Sequence, residues 1–362
     1  MLKFIHGADF HLDSAFAALP AGQAAERRRE SRDLVFRLAD YVNAHDVQLV
    51  LLAGDLFDSA APYRETGEAL AEALGRMKAQ VLAAPGNHDW YGPGSPWLTV
   101  DWPENVHIFR DNAMTALDLP ELGVTVHGGA FTAPEQASSL LEGFSAPRDG
   151  RVHLGLLHGE TDPAEARYNP LRREEIAASG LAYLALGHIH KRAQPWTCGE
   201  TLCAWPGCVE GRGFDELGEK GFYEGVIDGG KISLSFIPFA RRRYEILDVD
   251  VTGRSPRAAL EAALPEDSKD HLYRIRLTGE AGRVDAKALE TALSGRFYAL
   301  EIRDHTRVAE DVWARAGEDS LRGLFLRRLR ARWEAAGDEA ERETVTRAVR
   351  FGLAALDHRD LG

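Results

Sequence analysis

Five short apolar segments of this sequence each end in a cluster of side chains that can bind metal ions. The first three segments alternate with amphipathic segments, in the order strand, helix, strand, helix, strand over residues 2–84. Near-continuous apolar strands that alternate with helices are typical of a mostly parallel sheet. Ligands bind at the carboxyl ends of the strands in such sheets. The sequence therefore predicts an α/β fold whose polar clusters meet at one edge.

The remaining sequence divides into further segments. Strand signals dominate after residue 84, and residues 244–304 repeat the order strand, helix, strand, helix, strand. Apolar and arginine residues at helical spacing follow this module. We predict three domains from this pattern, covering residues 1–240, 241–304 and a helical tail at 305–362. The earliest predicted elements are strands at Leu2–Ile5, Val47–Ala53 and Gln80–Ala84, and helices at Ala24–Asn43 and Arg64–Lys78.

The residue types in the five clusters narrow the chemistry. Carboxylates and imidazoles without thiolates favour Mn²⁺, Fe²⁺ or Zn²⁺ in a reactive site over a structural zinc site. A carboxylate can ligate two ions, and two ions about 3.5–4 Å apart can hold a phosphodiester and activate a water. Asp55 is the natural bridging ligand. The clusters are DFH at 9–11, GDLFD at 54–58, GNHD at 86–89, HGE at 158–160 and GHIH at 187–190.

The net charge of −13 limits the classes of partner. Residues 1–240 carry 33 acidic and 20 basic residues, which accounts for the whole net charge. An acidic first domain is a poor nonspecific binder of nucleic acid by its field alone. Two bound divalent cations would offset about four of these charges. The charge balance therefore does not exclude a phosphodiester substrate.

The sequence carries no sign of membrane insertion or secretion. No apolar run approaches the roughly 20 residues that a membrane-spanning helix needs. The N-terminus MLKFIHGAD lacks the apolar stretch and small-residue cleavage pattern of a secretory signal. We therefore expect a cytoplasmic protein with no membrane partner.

The ordered motifs DFH, GDLFD, GNHD, HGE and GHIH resemble the calcineurin-like metallophosphoesterase superfamily. The resemblance implies a four-layer α/β/β/α sandwich with a dimetal centre at the strand ends. His88 would be the histidine that is not a ligand, and would protonate the leaving alkoxide or contact the scissile phosphate. The resemblance implies that one metal is held by Asp9, His11, Asp55 and His190, and the other by Asp55, Asn87, His158 and His188.

Asp58 has two interpretations. Three residues after Asp55, it matches the position that orients the catalytic histidine in phosphatase members of the superfamily. An aspartate after a strand is equally an N-cap for a following helix. The sequence leaves both interpretations open.

Longer stretches resemble the SbcD-type DNA repair exonucleases, in particular their bacterial YhaO branch. In that family the module after the nuclease domain is a small α+β capping domain that touches DNA, and the helical C-terminal tail binds an SbcC-like coiled-coil ATPase. The resemblance thus implies a Mn²⁺-dependent exonuclease and endonuclease for double-strand breaks, with DNA and the ATPase as partners. A homodimer is a further expectation. The stretches are FIHGADFHLDSAF, GDLFDSA, APGNHDWY, LGHIHKR and GRGFDELGEKGF.

Two other functions remain open at this point. One is a phosphodiesterase for a small substrate, such as a cyclic nucleotide or a nucleotide lipid. The other is a non-catalytic adaptor for an ATPase, which a missing metal ligand would favour. All the expected ligand positions are filled, and the additional C-terminal 120 residues or so are not obviously needed for a small substrate.

Three residues are candidates for contact with DNA. Trp90 follows His88 closely and can stack on an unpaired base, or it can pack its own loop. Arg241 and Arg242 can contact the DNA backbone at a hinge, or belong to a solvated linker.

The helical tail has an apolar face around Leu324 and Trp333. This face can dock a partner helix or fold back on its own domain.

Overall fold

The structure is a computed structural model that describes residues 1–164, 167–282, 284–308 and 312–356. Its helices are α1 (Ala21–Ala44), α2 (Arg64–Gly75), α3 (Pro96–Thr99), α4 (Arg173–Ala178), α5 (Pro256–Ala263), α6 (Ala286–Leu293), α7 (Leu321–Ala335) and α8 (Glu339–Leu356), with 3₁₀ turns at Pro120–Leu122 and Ser294–Arg296. Its strands are β1 (Leu2–Gly7), β2 (Leu49–Leu52), β3 (Gln80–Ala83), β4 (Val106–Ile108), β5 (Thr115–Leu119), β6 (Val124–Gly128), β7 (Val152–His158), β8 (Glu160–Thr161), β9 (Pro170–Leu171), β10 (Tyr183–Gly187), β11 (Trp196–Cys198), β12 (Thr201–Ala204), β13 (Gly221–Asp228), β14 (Lys231–Pro238), β15 (Tyr244–Asp250), β16 (Leu272–Thr278), β17 (Glu280–Ala281), β18 (Ala299–Asp304) and β19 (Arg307–Val308).

Two six-stranded sheets carry the N-terminal part of the fold. The first has the order β14-β13-β1-β2-β3-β4, in which β1 to β4 are parallel and β13 runs antiparallel to both its neighbours. The second has the order β11-β12-β10-β7-β6-β5, with antiparallel pairs at its two ends and parallel pairs inside. The parallel strands of each sheet therefore end at a common edge.

Side chains that alternate along the strands build the layers. Ile5 and Val50 point to one face of the first sheet and pack with Leu34 and Leu38 of α1. Their neighbours along the strands, such as Leu51, point to the other face and pack against the second sheet. A third apolar cluster on the outer face of the second sheet includes Ile176 and Leu171. The predicted α/β/β/α sandwich is thereby confirmed.

Residues 244–304 fold in the predicted order. The elements are β15, α5, β16, α6 and β18, and the three strands form a sheet in the order β15-β16-β18. The limits predicted for the domains stay a prediction. The chain forms two compact units, one of Met1–Leu247, Pro265–Ile275 and Glu290–Glu301, and one of the described parts of Asp248–Leu264, Arg276–Leu289 and Ile302–Gly362.

The helical tail forms a small core of its own within the second unit. Ser320 caps α7, since its hydroxyl accepts a hydrogen bond from the Gly323 amide at 3.1 Å. Leu326 and Val349 are buried between α7 and α8, while Leu324 remains exposed. Residues 357–362 of the predicted tail lie outside the described residues. In the part of the chain that the structure describes, no helix is long and apolar enough to cross a membrane.

Candidate metal centre

The five predicted clusters come together at the carboxyl ends of strands from both sheets. The parallel arrangement of β1, β2 and β3 places their polar ends side by side, and β7 and β10 of the second sheet contribute theirs opposite. Asp9 and His11 follow β1, Asp55 follows β2, Asn87 and His88 follow β3, His158 ends β7, and His188 and His190 follow β10.

The backbone at this edge takes an uncommon conformation. Asp9, His11, Asp55 and His188 have φ angles of 54°, 44°, 52° and 92°. Positive φ is rare for residues other than glycine and is concentrated at functional sites. Hydrogen bonds fix the turns, since the Asp9 amide donates to the Gly54 carbonyl and the His11 amide to the Asp55 carbonyl, each at 3.0 Å. The fold therefore holds these side chains in place from the backbone upward.

Asp9, His11, Asp55 and His190 form the first cluster, with their ligand atoms all within 4.8 Å of one another. The Nε2 atoms of His11 and His190 are 3.0 Å apart. His11 Nε2 lies 3.8 Å from Asp55 Oδ2, and His190 Nε2 lies 3.9 Å from Asp9 Oδ1. Two nitrogen and two carboxylate ligands thus surround one point.

Asn87, His158 and His188 form the second cluster, which shares Asp55 with the first. His158 Nε2 is 3.0 Å from Asn87 Oδ1 and 3.3 Å from Asp55 Oδ2. His188 Nδ1 is 3.1 Å from the same Asn87 oxygen. His158 Nδ1 donates to the Ala53 carbonyl at 2.8 Å, which leaves Nε2 with a free lone pair when the ring is neutral.

The donor atoms of both clusters fit divalent cations. Nitrogen lone pairs and oxygens face one another at short range, an arrangement that is repulsive unless a proton or a cation lies among them. Burial lowers the pKa of His158, but Asp55 and Asp9 outweigh it and raise that pKa to about 9. The carboxylates therefore stabilise positive charge here, and O/N ligands without sulfur suit Mn²⁺, Fe²⁺ or Zn²⁺.

Asp89 stabilises the backbone turns that carry the metal ligands. It is fully buried, and its carboxylate accepts hydrogen bonds from the backbone amides of Gly86, Leu56, Asp55 and Phe57 at 2.7–3.3 Å. Burial and the charge of Asp55 raise its pKa to about 7, against the effect of these amides. Asp89 thus ties the turn after β3 to the turn after β2.

His88 is exposed beside the first cluster. Its ring is 4.8 Å from the His11 ring, and its Nδ1 donates to the backbone carbonyl of Asp58 at 3.0 Å. The sequence left open whether the Asp58 carboxylate orients His88 or caps a helix. That carboxylate lies 3.1 Å from His11 Nδ1 and 2.9 Å from Arg212 Nη1. Ligand atoms of Asp58, His11 and His88 all lie within 4.8 Å of one another, and an orienting role of the carboxylate stays a prediction.

Two of the three suggested DNA contacts, Arg241 and Arg242, differ in exposure. Arg242 is only 4% exposed, and its guanidinium holds the Glu30 carboxylate at 2.6 Å and covers the Tyr298 ring at 3.6 Å. These contacts give Arg242 a structural role, and contact of Arg241, Arg242 or Trp90 with DNA stays a prediction. Arg241 is 60% exposed, and Trp90 lies half-buried over Gly92.

Two residues at the centre escaped the sequence analysis. Glu216 accepts a hydrogen bond from His190 Nδ1 at 2.8 Å, and Arg212 lies beside it. Both occupy the connection from β12 to β13, so neither directly follows a strand. The stretch GRGFDELGEKGF contains them, but its letters alone give no indication of which motif they contact.

Comparison with known sequences assigns the chain to a family. The family model for calcineurin-like phosphoesterases matches residues 2–192. This chain belongs to the calcineurin-like phosphoesterase family. The paired clusters around Asp55 are the candidate metal centre of this family member.

Two curated proteins are similar to this chain in sequence. The chain is 32% identical to the metallophosphoesterase YhaO of Bacillus subtilis (strain 168) over 270 residues, which are 72% of this chain and 65% of the relative. It is 26% identical to the DNA double-strand break repair protein Mre11 of Saccharolobus solfataricus (strain ATCC 35092 / DSM 1617 / JCM 11322 / P2) over 209 residues, or 53% of this chain and 50% of the relative. The chain thus spans less than two thirds of either relative.

Proposed function

We propose that this chain is an SbcD-type, Mn²⁺-dependent phosphodiesterase that cuts DNA ends, with exonuclease and some endonuclease activity, in double-strand break repair. The observation that carries the proposal is the pair of ligand clusters that share Asp55, with the exposed His88 beside them. Every ligand position that the family resemblance implies is filled, which argues against a non-catalytic adaptor.

The chain's own residues have distinct parts in this reaction. Asp9, His11, Asp55 and His190 would hold one cation, and Asp55, Asn87, His158 and His188 the other. Bound cations would withdraw charge from the phosphoryl group and lower the pKa of water. The Asp58 carbonyl accepts a hydrogen bond from His88 Nδ1 and so orients the ring. With a second proton on Nε2, the imidazolium can give that proton to the departing 3′-oxygen and return to its neutral Nδ1–H form, or it can donate a hydrogen bond to the phosphate.

DNA as the substrate rests on two supports. One is the similarity to a protein named for DNA double-strand break repair. The other is the module at residues 244–304 and the tail beyond it, for which a small substrate offers no obvious use. An SbcC-like ATPase partner, a homodimer and a cytoplasmic location complete this proposal.

A small phosphodiester is the second candidate. It is favoured by the acidic charge of residues 1–240 and by the buried ion pair that holds Arg242 on Glu30. A cyclic nucleotide or nucleotide lipid would need less positive surface than a duplex does.

The deciding experiment compares two substrates on one enzyme. Metal-stripped protein is reloaded with Mn²⁺ and assayed on end-labelled duplex DNA and on bis-p-nitrophenyl phosphate, with and without an SbcC-like ATPase. His88→Ala is the test variant, and His45→Ala, an exposed histidine on the far end of α1, is the control.

We expect wild type and His45→Ala to cut both substrates, and His88→Ala to lose about 10²–10⁴-fold in rate on both. If only the small ester is cleaved, even with the ATPase present, DNA is not the substrate and a small phosphodiester takes its place. If neither substrate is cleaved, both enzymatic functions are contradicted and the non-catalytic adaptor remains.

A further inference from the structure

The imidazoles of the first cluster each have a carboxylate on the side away from the cluster. Glu216 Oε1 lies 2.8 Å from His190 Nδ1, and Asp58 Oδ1 lies 3.1 Å from His11 Nδ1. Glu216 accepts a hydrogen bond from His190 Nδ1, which favours the tautomer that carries its proton there. Asp58 makes no hydrogen bond with His11 Nδ1, but its charge at 3.1 Å favours the same tautomer electrostatically. In this tautomer both rings direct the Nε2 lone pair toward the point where their Nε2 atoms meet.

One guanidinium joins these two carboxylates. Arg212 Nη1 donates to Asp58 Oδ1 at 2.9 Å, and Arg212 Nη2 donates to Glu216 Oε1 at 2.7 Å. The planar fork of arginine allows one side chain to bridge two carboxylates, which the single ammonium of lysine matches poorly. We call Asp58, Arg212 and Glu216 the carboxylate clamp.

The loop that carries the clamp is itself fixed. The Arg212 amide donates to Glu216 Oε2 at 2.7 Å, which closes the loop on itself. Arg27 of α1 is fully buried, and its Nη2 donates to the Gly211 carbonyl at 3.1 Å. The clamp is therefore preorganised by contacts that do not involve the cluster.

Glu216 Oε1 accepts hydrogen bonds from two side chains, His190 Nδ1 at 2.8 Å and Arg212 Nη2 at 2.7 Å. Arg212 Nη2 also lies 3.0 Å from His190 Nδ1, where two N–H donors would compete for Glu216. The position of the His190 proton is therefore the decisive observable.

We propose that Arg212 is a positioning residue of the metal centre, which bridges Asp58 and Glu216 so that His11 and His190 present Nε2 to the cation. This inference rests on the proposed metal-dependent function. Nothing in it requires DNA to be the substrate.

The test measures metal binding and tautomers in the full chain. Calorimetry of metal-stripped protein gives the Mn²⁺ affinity of wild type, Arg212→Gln, Arg212→Lys and Glu216→Gln. Two-bond ¹H–¹⁵N spectra of histidine-labelled, Zn²⁺-loaded protein report which nitrogen of His190 carries the proton. Asp215→Asn, exposed in the same loop, is the matched control, and thermal unfolding of the metal-free proteins monitors the fold.

We expect Arg212→Gln and Glu216→Gln to bind Mn²⁺ about 10–100-fold more weakly. Thermal unfolding of the metal-free proteins shows whether each variant is folded at the temperature of the titration. Arg212→Lys should recover only part of the affinity, and Asp215→Asn should match wild type. Arg212→Lys carries the test if Arg212→Gln fails to fold.

Three results would overturn the proposal. They are unchanged affinity in Arg212→Gln, full affinity in Arg212→Lys, and a proton on Nε2 of His190 in wild type. Failure of DNA cleavage by Mn²⁺-loaded wild type would instead contradict the proposed function, and leaves these readouts unaffected.

Discussion

At the scale of single residues, His6 makes stability depend on pH. It is fully buried on β1, where the Tyr183 hydroxyl donates to Nδ1 at 2.7 Å and Nε2 donates to the Leu186 carbonyl at 3.1 Å. Burial lowers its pKa from 6.5 to about 3, against the effect of the Leu186 hydrogen bond. The unfolded chain therefore binds a proton between these two pH values that the native ring does not.

It follows that His6 destabilises the native state as the pH falls below 6.5. Between pH 7.5 and 5 we expect its contribution to the free energy of unfolding to fall by about 2 kcal/mol. Urea unfolding of metal-free wild type and His6→Gln at pH 7.5 and pH 5 measures this contribution. The free energy of unfolding should change less between the two pH values in the variant than in wild type. His45→Gln, with an exposed ring, should keep the wild-type dependence, and equal slopes in all three proteins would contradict the prediction.

Asp89 gives a second prediction at this scale. Asp89→Asn replaces one acceptor oxygen by an NH₂ group that faces backbone amides, so we expect a loss of about 3 kcal/mol in the free energy of unfolding. Denaturant unfolding of the metal-free protein checks it, with the exposed Asp101→Asn as control. A change in the free energy of unfolding below about 0.5 kcal/mol would show that these backbone amides find other hydrogen-bond acceptors in the variant.

The sequence identified those site residues that stand directly after an apolar strand. Asp9, Asp55 and His158 could be found because a strand's end fixes where the next side chains lie. Glu216 and Arg212 could not be found in this way, because the contacts of a loop residue depend on the path of that loop in the folded chain. The burial of Arg242 was equally hidden, because its partner Glu30 lies on a distant helix.

At the scale of elements, a buried ion-pair chain attaches α1 to the segment after β14. Arg27 and Arg242 both hold Glu30, at 2.7 and 2.6 Å. Burial opposes ionisation of Glu30, but hydrogen bonds from Arg242 and Arg27 outweigh it and lower its pKa. These contacts fix one helix through its polar side, while its apolar side packs on the first sheet.

Arg242→Met should therefore lower the free energy of unfolding by about 3 kcal/mol, since it leaves Glu30 buried with one partner fewer. Arg241→Met, at an exposed site next to it, should change stability by less than about 0.5 kcal/mol. Chemical unfolding of the two variants checks this, and equal effects would contradict the structural role of Arg242.

Most elements were predicted in type and order, and their ends less well. The helix predicted from Ala24 begins at Ala21, and the strand predicted at Val47–Ala53 covers Leu49–Leu52. Apolar periodicity continues past the last hydrogen-bonded residue of a strand. It also gives no signal in the polar first turn of a helix, so local patterns locate the middle of an element better than its ends.

At the scale of the whole molecule, cation binding should stabilise the fold. The ligands come from five separated segments, and in the unfolded chain these do not form a site. We expect Mn²⁺ at about 100 times its Kd to add about 2.7 kcal/mol, which raises the Tm by roughly 3–5 °C for a chain of this length.

Scanning calorimetry of chelator-treated and Mn²⁺-reloaded protein measures this shift. Asp55→Asn, which weakens the ligand shared by both clusters, should abolish most of it. A wild-type Tm that does not respond to Mn²⁺ would contradict the assignment of the centre.

The position of β1 has a consequence for the chain during its synthesis. β1 lies between β2 and β13, and its register pairs Leu2 with Ile227. A ribosome must therefore make more than two hundred residues before one side of the first strand can be covered. Until then one edge of this apolar strand stays open to other nascent chains, so we expect a chaperone that covers β1 to reduce aggregation during synthesis.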